Sequence, residues 1–159
     1  MPRVYFDKEY SSVIKKLYED KDEVTGQPVF KYLWQLMIFL AMVGRRKKKT
    51  CEFVKKLSTD SRTREIQSSY FESERKDGIV YLLALDQMRD GEILREGSEN
   101  ESKIWQYLES FAQIGIEEVD SWLLEYQFLA PKDVLFAKMK EVAKVNIDNI
   151  DKVFVKPKF

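Results

Sequence analysis

Apolar residues recur at helical spacing along most of the chain and divide it into several amphipathic segments. Near the start, Val13, Ile14, Leu17 and Tyr18 share one helical face, and Asp7 precedes them as an N-terminal cap. The pattern predicts a short first helix, and the charged stretch that follows it is typical of a loop.

The next segment, from about Val29 to Val43, is apolar nearly all round. A helix of this kind is enclosed by other elements. Gly44 follows it as a C′ residue, and the cations from Arg45 onward would lie at the negative end of the helix dipole. We therefore expect a core helix that ends at Gly44.

Capping signals predict two helices in the second half of the chain. Asp77 opens the first, which ends near Gly91. Ser98 and Glu101 match a capping box, in which the serine oxygen and the glutamate carboxylate each accept a hydrogen bond from a free backbone N–H. We expect the second helix to begin there.

Gly115 is expected to interrupt this second helix. A further apolar stripe follows at positions i, i+3, i+4 and i+7, formed by Val119, Trp122, Leu123 and Tyr126. Pro131 ends that segment and lies near the start of the last helix. Together these segments predict about six helices.

The predicted fold class is mainly α, a compact bundle of about five to six helices. We also expect a small two-stranded β element from the two termini, pairing Val4–Phe6 with Val153–Val155. Residues 1–145 are expected to form a single helical domain, and residues 146–159 a C-terminal tail.

Composition predicts a cytoplasmic protein that does not enter a membrane. Cys51 is the only cysteine, so no disulfide can form within the chain. The first residues lack the apolar core of a signal peptide. The most apolar stretch, residues 32–43, is too short for a bilayer, which needs about 20 residues.

The chain has no histidine, which excludes Ser-His-Asp and Cys-His nucleophiles and every metal site that includes histidine. Neither of the two common glycine-rich phosphate loops occurs. We therefore expect no cofactor, no metal site and no enzymatic activity.

One alternative keeps catalysis open. Asp60, Glu74 and Lys76 follow the order D…E-x-K, in which two carboxylates hold Mg²⁺ and a lysine aids the attacking water in metal-dependent nucleases. Such residues should lie at the ends of adjacent buried strands. The segment between them is polar and alternates poorly, which favours a solvated loop.

A net charge of zero conceals a strong asymmetry along the chain. Residues 44–64 contain nine basic and two acidic residues, whereas residues 65–130 contain fifteen acidic and five basic residues. Asymmetry of this kind concerns partners rather than fold. The basic 45–64 segment could meet DNA phosphate or an acidic protein.

Contact with the DNA backbone would use the side chains of this basic segment, since neutralised phosphates release counterions without base reading. The candidate residues are Arg45, Arg46, Lys47, Lys48, Lys49, Lys55, Lys56, Arg62 and Arg64. Two alternatives stay open. The run could be a solvated linker that also caps a helix dipole, or it could bind protein alone in a scaffold without DNA contact.

Four stretches in order resemble a known family. They are residues 30–46, which end in Gly-Arg-Arg, residues 77–85 with Leu-Leu-Ala-Leu, the glycine-containing link at residues 91–94, and residues 104–117, which carry Phe-Ala before Gly and Ile-Glu. This order resembles the DNA phosphorothioation-associated (dnd system-associated) protein 4 family. The longer basic run and the Leu40-Ala41 pair depart from the family pattern, as in a distant member.

The resemblance implies a role beside bacterial machinery that places sulfur in the DNA backbone and restricts unmodified DNA. It implies an accessory function in antiphage defence and carries over no catalytic residue. The leading hypothesis is a non-catalytic accessory subunit that binds a protein partner of a DNA-modification complex, the DNA backbone, or both.

Overall fold

The computed structural model describes residues 1–49 and 57–153, with side chains described as far as residue 144. This part of the chain contains six helices and one two-stranded antiparallel sheet, which confirms the mainly α class with a small β element. The elements are β1 (Arg3–Asp7), α1 (Ser11–Ile14), α2 (Leu33–Lys47), β2 (Arg62–Gln67), α3 (Ser68–Ser73), α4 (Asp77–Met88), α5 (Ser98–Glu125) and α6 (Pro131–Val153).

The sheet uses the expected N-terminal strand but a different partner. β1 pairs with β2, with Val4 opposite Ile66. Pairing with the C-terminal segment is wrong for Val153, which is the last residue of α6, while residues 154–155 lie outside the described residues. Ile66 is the only apolar residue of β2 and its only buried one, so the strand has no alternation of apolar and polar residues that would predict it.

The first helical segment follows the predicted cap. The Asp7 carboxylate accepts a hydrogen bond from the Glu9 backbone N–H at 2.9 Å, and a 3₁₀ turn leads into α1. α1 continues as a π-helical turn through Lys15–Glu19. This short segment buries three apolar side chains, Val13, Ile14 and Leu17.

The two predicted glycine breaks are wrong. α2 passes through Gly44 and ends at Lys47, and α5 passes through Gly115 as one helix of 28 residues. Both glycines are buried inside their helices. They are therefore sites of close packing rather than helix ends.

The helices α2 and α5 touch through their main chains at these glycines. A Cβ added at Gly44 would lie 1.9 Å from the carbonyl oxygen of Phe111, and one at Gly115 would lie 1.7 Å from the carbonyl oxygen of Leu40. Real atoms cannot approach so closely, so only glycine fits at either position. Fully buried side chains surround the crossing, among them Leu36, Leu40, Leu108 and Phe111.

The predicted ends of α4 and α5 shift by a few residues. The capping box at Ser98 is wrong, because Gly97 is the N-cap and no side chain caps this end. α4 ends at Met88, before the predicted Gly91, and Arg89 is its C-cap. Arg89 has a left-handed conformation with φ 51° and donates its backbone N–H to the Leu85 carbonyl.

The segment before α4 is only partly extended. β2 ends at Gln67, and α3 then buries Phe71 against Trp105, with the ring centroids 5.1 Å apart. Asp77 is the first residue of α4, whereas Lys76 is its cap. The chain between Asp60 and Glu74, which the sequence favoured as a solvated loop, is therefore a strand followed by a short helix.

The last helix begins at Pro131 as predicted, and its first turns pack on the body of the protein. Val134 and Leu135 are buried, whereas the side chains described from residue 136 onward are exposed or half-buried. The predicted boundary at residue 146 falls within this helix. The division into a domain and a tail stays a prediction.

The glycine crossing predicts that alanine destabilises the protein at Gly44 and Gly115 but not at Gly78. Gly44→Ala and Gly115→Ala should each reduce the free energy of unfolding by at least about 2 kcal/mol, because the new methyl group meets backbone. Gly78→Ala in α4 is the matched control, since its Cβ would have no atom within 4 Å. It should be neutral or stabilising by up to about 1 kcal/mol. Urea unfolding measures all three, and equal effects at Gly44 and Gly78 would contradict the crossing.

Candidate interaction surfaces

The basic run forms the last turn of α2 and the two residues that follow it. Arg45, Arg46 and Lys47 are helical, Lys48 is the C-cap, and Lys49 comes next. The cations therefore lie at the negative end of the helix dipole, as the sequence indicated. Lys55 and Lys56, predicted to join them, lie outside the described residues.

Two cations of this run are paired with acidic side chains of the same chain. Arg45 Nε lies 2.7 Å from an Asp86 carboxylate oxygen in α4, and the hydrogen bond lowers the pKa of that carboxyl. Lys47 Nζ lies 2.9 Å from a Glu118 carboxylate oxygen in α5. These two ion pairs connect α2 to α4 and α5. They also leave Arg45 and Lys47 with less positive charge available to bind a phosphate.

Three cations of the run remain exposed without an acidic partner among the described residues: Arg46, Lys48 and Lys49. We call these three residues the cationic cluster. They lie within four positions along the chain, at one end of α2. Their positive charge is concentrated enough to attract an anionic surface.

The two arginines of β2 do not extend this cluster. Arg64 forms an ion pair with Glu19. Arg62 donates its Nε–H to the Leu57 carbonyl, and its guanidinium lies 4.6 Å from the centroid of the Tyr5 ring. The positive segment that is continuous in sequence is thus divided between α2 and the sheet.

Contacts with α5 give an estimate of the distance between the basic end of α2 and the sheet that carries Arg62 and Arg64. The backbone N–H of Tyr5 in β1 donates to a Glu109 carboxylate oxygen at 2.9 Å, whereas Lys47 reaches Glu118. These positions on α5 are nine residues apart, which is about 13 Å at 1.5 Å per residue. A single phosphate group therefore could not contact both the end of α2 and the sheet.

The carboxylates of the nuclease alternative do not form the arrangement that it requires. Asp60 lies in an exposed 3₁₀ turn before β2, whereas Glu74 and Lys76 lie in an exposed turn after α3. β2 and α3 lie between Asp60 and Glu74 in the chain. The two adjacent buried strands that the nuclease arrangement requires are therefore not what joins these residues. The part of the chain that the structure describes contains no cluster of three acidic, histidine or cysteine side chains able to hold a metal ion.

An apolar groove lies between α2 and α4, directly beside the basic run. Its walls are Met42, Ile79, Leu82 and Leu83, its volume is about 450 Å³, and the Arg45–Asp86 ion pair forms one rim. Leu82 is 66% exposed and Met42 is 48% exposed. Exposed apolar side chains that line one concave surface are typical of an interaction site.

Sequence reasoning did not locate this groove, because the apolar run of α4 does not show which of its side chains other elements cover. α4 is apolar on every side, but only Val80, Leu83 and Ala84 are buried. The signal was present in the run from Ile79 to Leu85, which has more apolar residues than one packed face needs. Which of them remain exposed depends on where α2 and α5 lie.

More exposed apolar side chains occur around the turn between α5 and α6. Phe128 is 82% exposed, and Phe136 is 63% exposed. Leu124 and Met139 are about half exposed. We call these four residues the distal patch. Of these four residues, Leu124 lines a pocket of about 390 Å³ whose walls also include Lys16 and Gln127.

Comparison with known proteins relates this fold to a biological system. The family model described as DNA sulphur modification system-associated protein 4 matches residues 3–150, nearly the whole chain. The chain belongs to this family. The match includes α6 almost to its end, so that helix is part of the family pattern, although the stretches that carry the resemblance in sequence end at residue 117. No curated protein and no solved structure matches the chain.

Membership of the DNA sulphur modification system-associated protein 4 family confirms the resemblance seen in the sequence. The association of the protein with a DNA sulphur modification system follows from it. Among the described residues, no helix has the length and apolar character needed to cross a membrane.

The Lys47–Glu118 pair makes stability depend on pH. The hydrogen bond from Lys47, assisted by one from Trp122 Nε1–H at 3.2 Å, lowers the pKa of Glu118 below its ordinary value of 4.5. Because the folded-state pKa is the lower one, the stabilisation is complete above the unfolded-state pKa of 4.5 and is lost as the pH falls through the folded-state pKa.

Glu118→Gln should therefore be less stable than the wild type by about 1 kcal/mol at pH 7, with a difference that shrinks below about pH 4. The neighbouring Glu117 is exposed, so Glu117→Gln is the control and should have little effect. Chemical unfolding at pH 7, 5 and 3.5 tests this. A Glu118→Gln difference that is constant across these pH values would contradict the assignment.

Proposed function

We propose that this member of the family is a non-catalytic accessory subunit of a DNA sulphur modification system, which binds both the DNA backbone and a protein partner. The observation that carries the proposal is the position of the cationic cluster, Arg46, Lys48 and Lys49, beside the apolar groove. One end of α2 thus presents charge for phosphate and, next to it, apolar surface for protein.

The DNA contact is limited to the backbone. Lysine ammonium groups act as point charges, and an arginine can hold two phosphate oxygens, but neither mode reads a base. Each neutralised phosphate releases counterions, so affinity falls as salt rises. Binding of this kind suits an accessory subunit that keeps a complex on DNA while another subunit provides sequence recognition or chemistry.

Ion pairs also explain why the positively charged surface proposed to bind DNA is small. Asp86 and Glu118 neutralise Arg45 and Lys47, so the net positive charge is concentrated at Arg46 and the two lysines after the helix. Acidic residues dominate positions 65–130 and would repel DNA elsewhere. This arrangement supports one defined point of contact rather than wrapping of the duplex.

A pure protein scaffold is the second candidate, and the apolar groove is the observation that favours it. In that function the cationic cluster would meet an acidic surface of the partner instead of DNA. No arrangement of Asp60, Glu74 and Lys76 in the structure favours the nuclease alternative.

The DNA contact predicts a local effect of charge removal. The triple variant Arg46→Ala, Lys48→Ala, Lys49→Ala should bind duplex DNA at least tenfold more weakly at low salt. Its slope of log affinity against log salt should be flatter by about 2 to 3, since each phosphate contact contributes about 0.9. Fluorescence anisotropy with labelled duplexes, with and without phosphorothioate links, measures both quantities.

The matched control removes three exposed lysines elsewhere, Lys8, Lys21 and Lys144. It changes the net charge by the same amount, so it separates a local contact from general attraction. The control should retain the salt slope of the wild type. Equal losses of DNA affinity in the two triple variants, or no DNA binding by the wild type, would contradict the DNA contact and favour the protein scaffold.

A further inference from the structure

The groove between α2 and α4 is a short channel with one charged end. Met42 and Arg45 of α2 line it together with Leu82 and Asp86 of α4, and Arg45 pairs with Asp86. Beyond that ion pair, Gln87 of α4 donates its side-chain N–H to the Lys49 carbonyl at 3.0 Å. The C-terminal ends of the two helices therefore lie next to each other, at the cationic cluster.

The size of the groove limits what can occupy it. Its α4 wall extends from Ile79 to Asp86, which is seven steps along the helix or about 10 Å. That length corresponds to about two turns of a helix, with room for anchors at positions i and i+4. Six residues line it, whereas each side of a stable globular interface contributes about 20 to 30. The groove suits a helical segment better than a second copy of this chain.

Charge sets the polarity of that segment. The groove floor is apolar, Arg45 and Asp86 neutralise each other at the rim, and the exposed charge beyond them is positive. Arg89, the left-handed cap of α4, adds a further exposed cation at the same end. A complementary occupant has apolar anchors over Met42 and Leu82 and acidic residues over the cationic cluster.

We infer that the groove binds an amphipathic helix of a partner protein, whose acidic end covers the cationic cluster and competes with DNA for it. This inference rests on the proposed function, since it names the chemistry of the partner and makes partner binding a control on DNA binding. Occupied by an acidic helix, the cluster no longer has net positive charge to offer phosphate. The subunit would then bind either the partner helix or the DNA backbone.

The test uses the purified full-length protein and overlapping peptides of about 20 residues from the other proteins of the DNA sulphur modification system. Peptide binding is measured by calorimetry for three proteins: the wild type, the groove variant Met42→Gln, Leu82→Gln, and the distal-patch variant Leu124→Gln, Phe128→Gln. Both variants replace two exposed apolar side chains without a change of charge, and circular dichroism verifies their folding.

The expected result is at least one peptide with an apolar i, i+4 pair and an acidic end, bound at least tenfold more weakly by the groove variant and within twofold of the wild type by the distal-patch variant. The bound peptide should displace labelled duplex DNA from the wild type. The groove variant should bind DNA with unchanged affinity, but the same peptide concentration should not displace it.

Three results would overturn the inference. They are binding of no peptide, loss of peptide binding in the distal-patch variant alone, and self-association of the wild type that the groove variant abolishes. Simultaneous binding of peptide and DNA would overturn the competition. If the wild type binds no DNA, the proposed DNA contact fails, and the peptide affinities of the two variants still decide whether the groove is the docking site.

Discussion

The close crossing of α2 and α5 at Gly44 and Gly115 is the constraint on which the rest of the structure depends. Main chain meets main chain there, so α2 and α5 lie nearer to each other than any side chain at these positions would allow. The remaining helices pack around this pair, and the N-terminal strand reaches α5 through the Tyr5 N–H bond to Glu109. The position of the crossing also decides which face of each helix stays exposed.

The candidate surfaces follow from that geometry. With α2 held against α5, Lys47 reaches Glu118, and Arg45 turns to Asp86 on α4. Each ion pair is partly exposed and contributes at most about 1 kcal/mol to stability by itself. Their larger effect is electrostatic, because they remove two charges from a basic run and concentrate what remains at its end. A DNA sulphur modification system-associated protein thus presents a small positive site on a chain with no net charge.

The groove beside this site results from incomplete coverage rather than from a break in the core. α4 is apolar on every side, and α5 covers only one face of it. Leu82 stays in contact with water. A partner that covered it would gain about 25 cal/mol of binding free energy for each Å² of apolar surface buried. Apolar surface and positive charge therefore meet at one end of α2, which makes joint or competing use of the two possible.

Local pattern was sufficient for the helical class, the Asp7 cap and the start of α6, because caps and apolar periodicity are properties of neighbouring residues. The family followed from the resemblance of four stretches to known sequences. It failed at Gly44 and Gly115, since a glycine that ends a helix and a glycine that admits another backbone look the same in sequence. It also failed for β2, whose partner strand is about 60 residues away. Which cations stay exposed, and that an apolar groove adjoins them, were decided only by tertiary structure, because ion pairs and burial depend on segments distant in the chain.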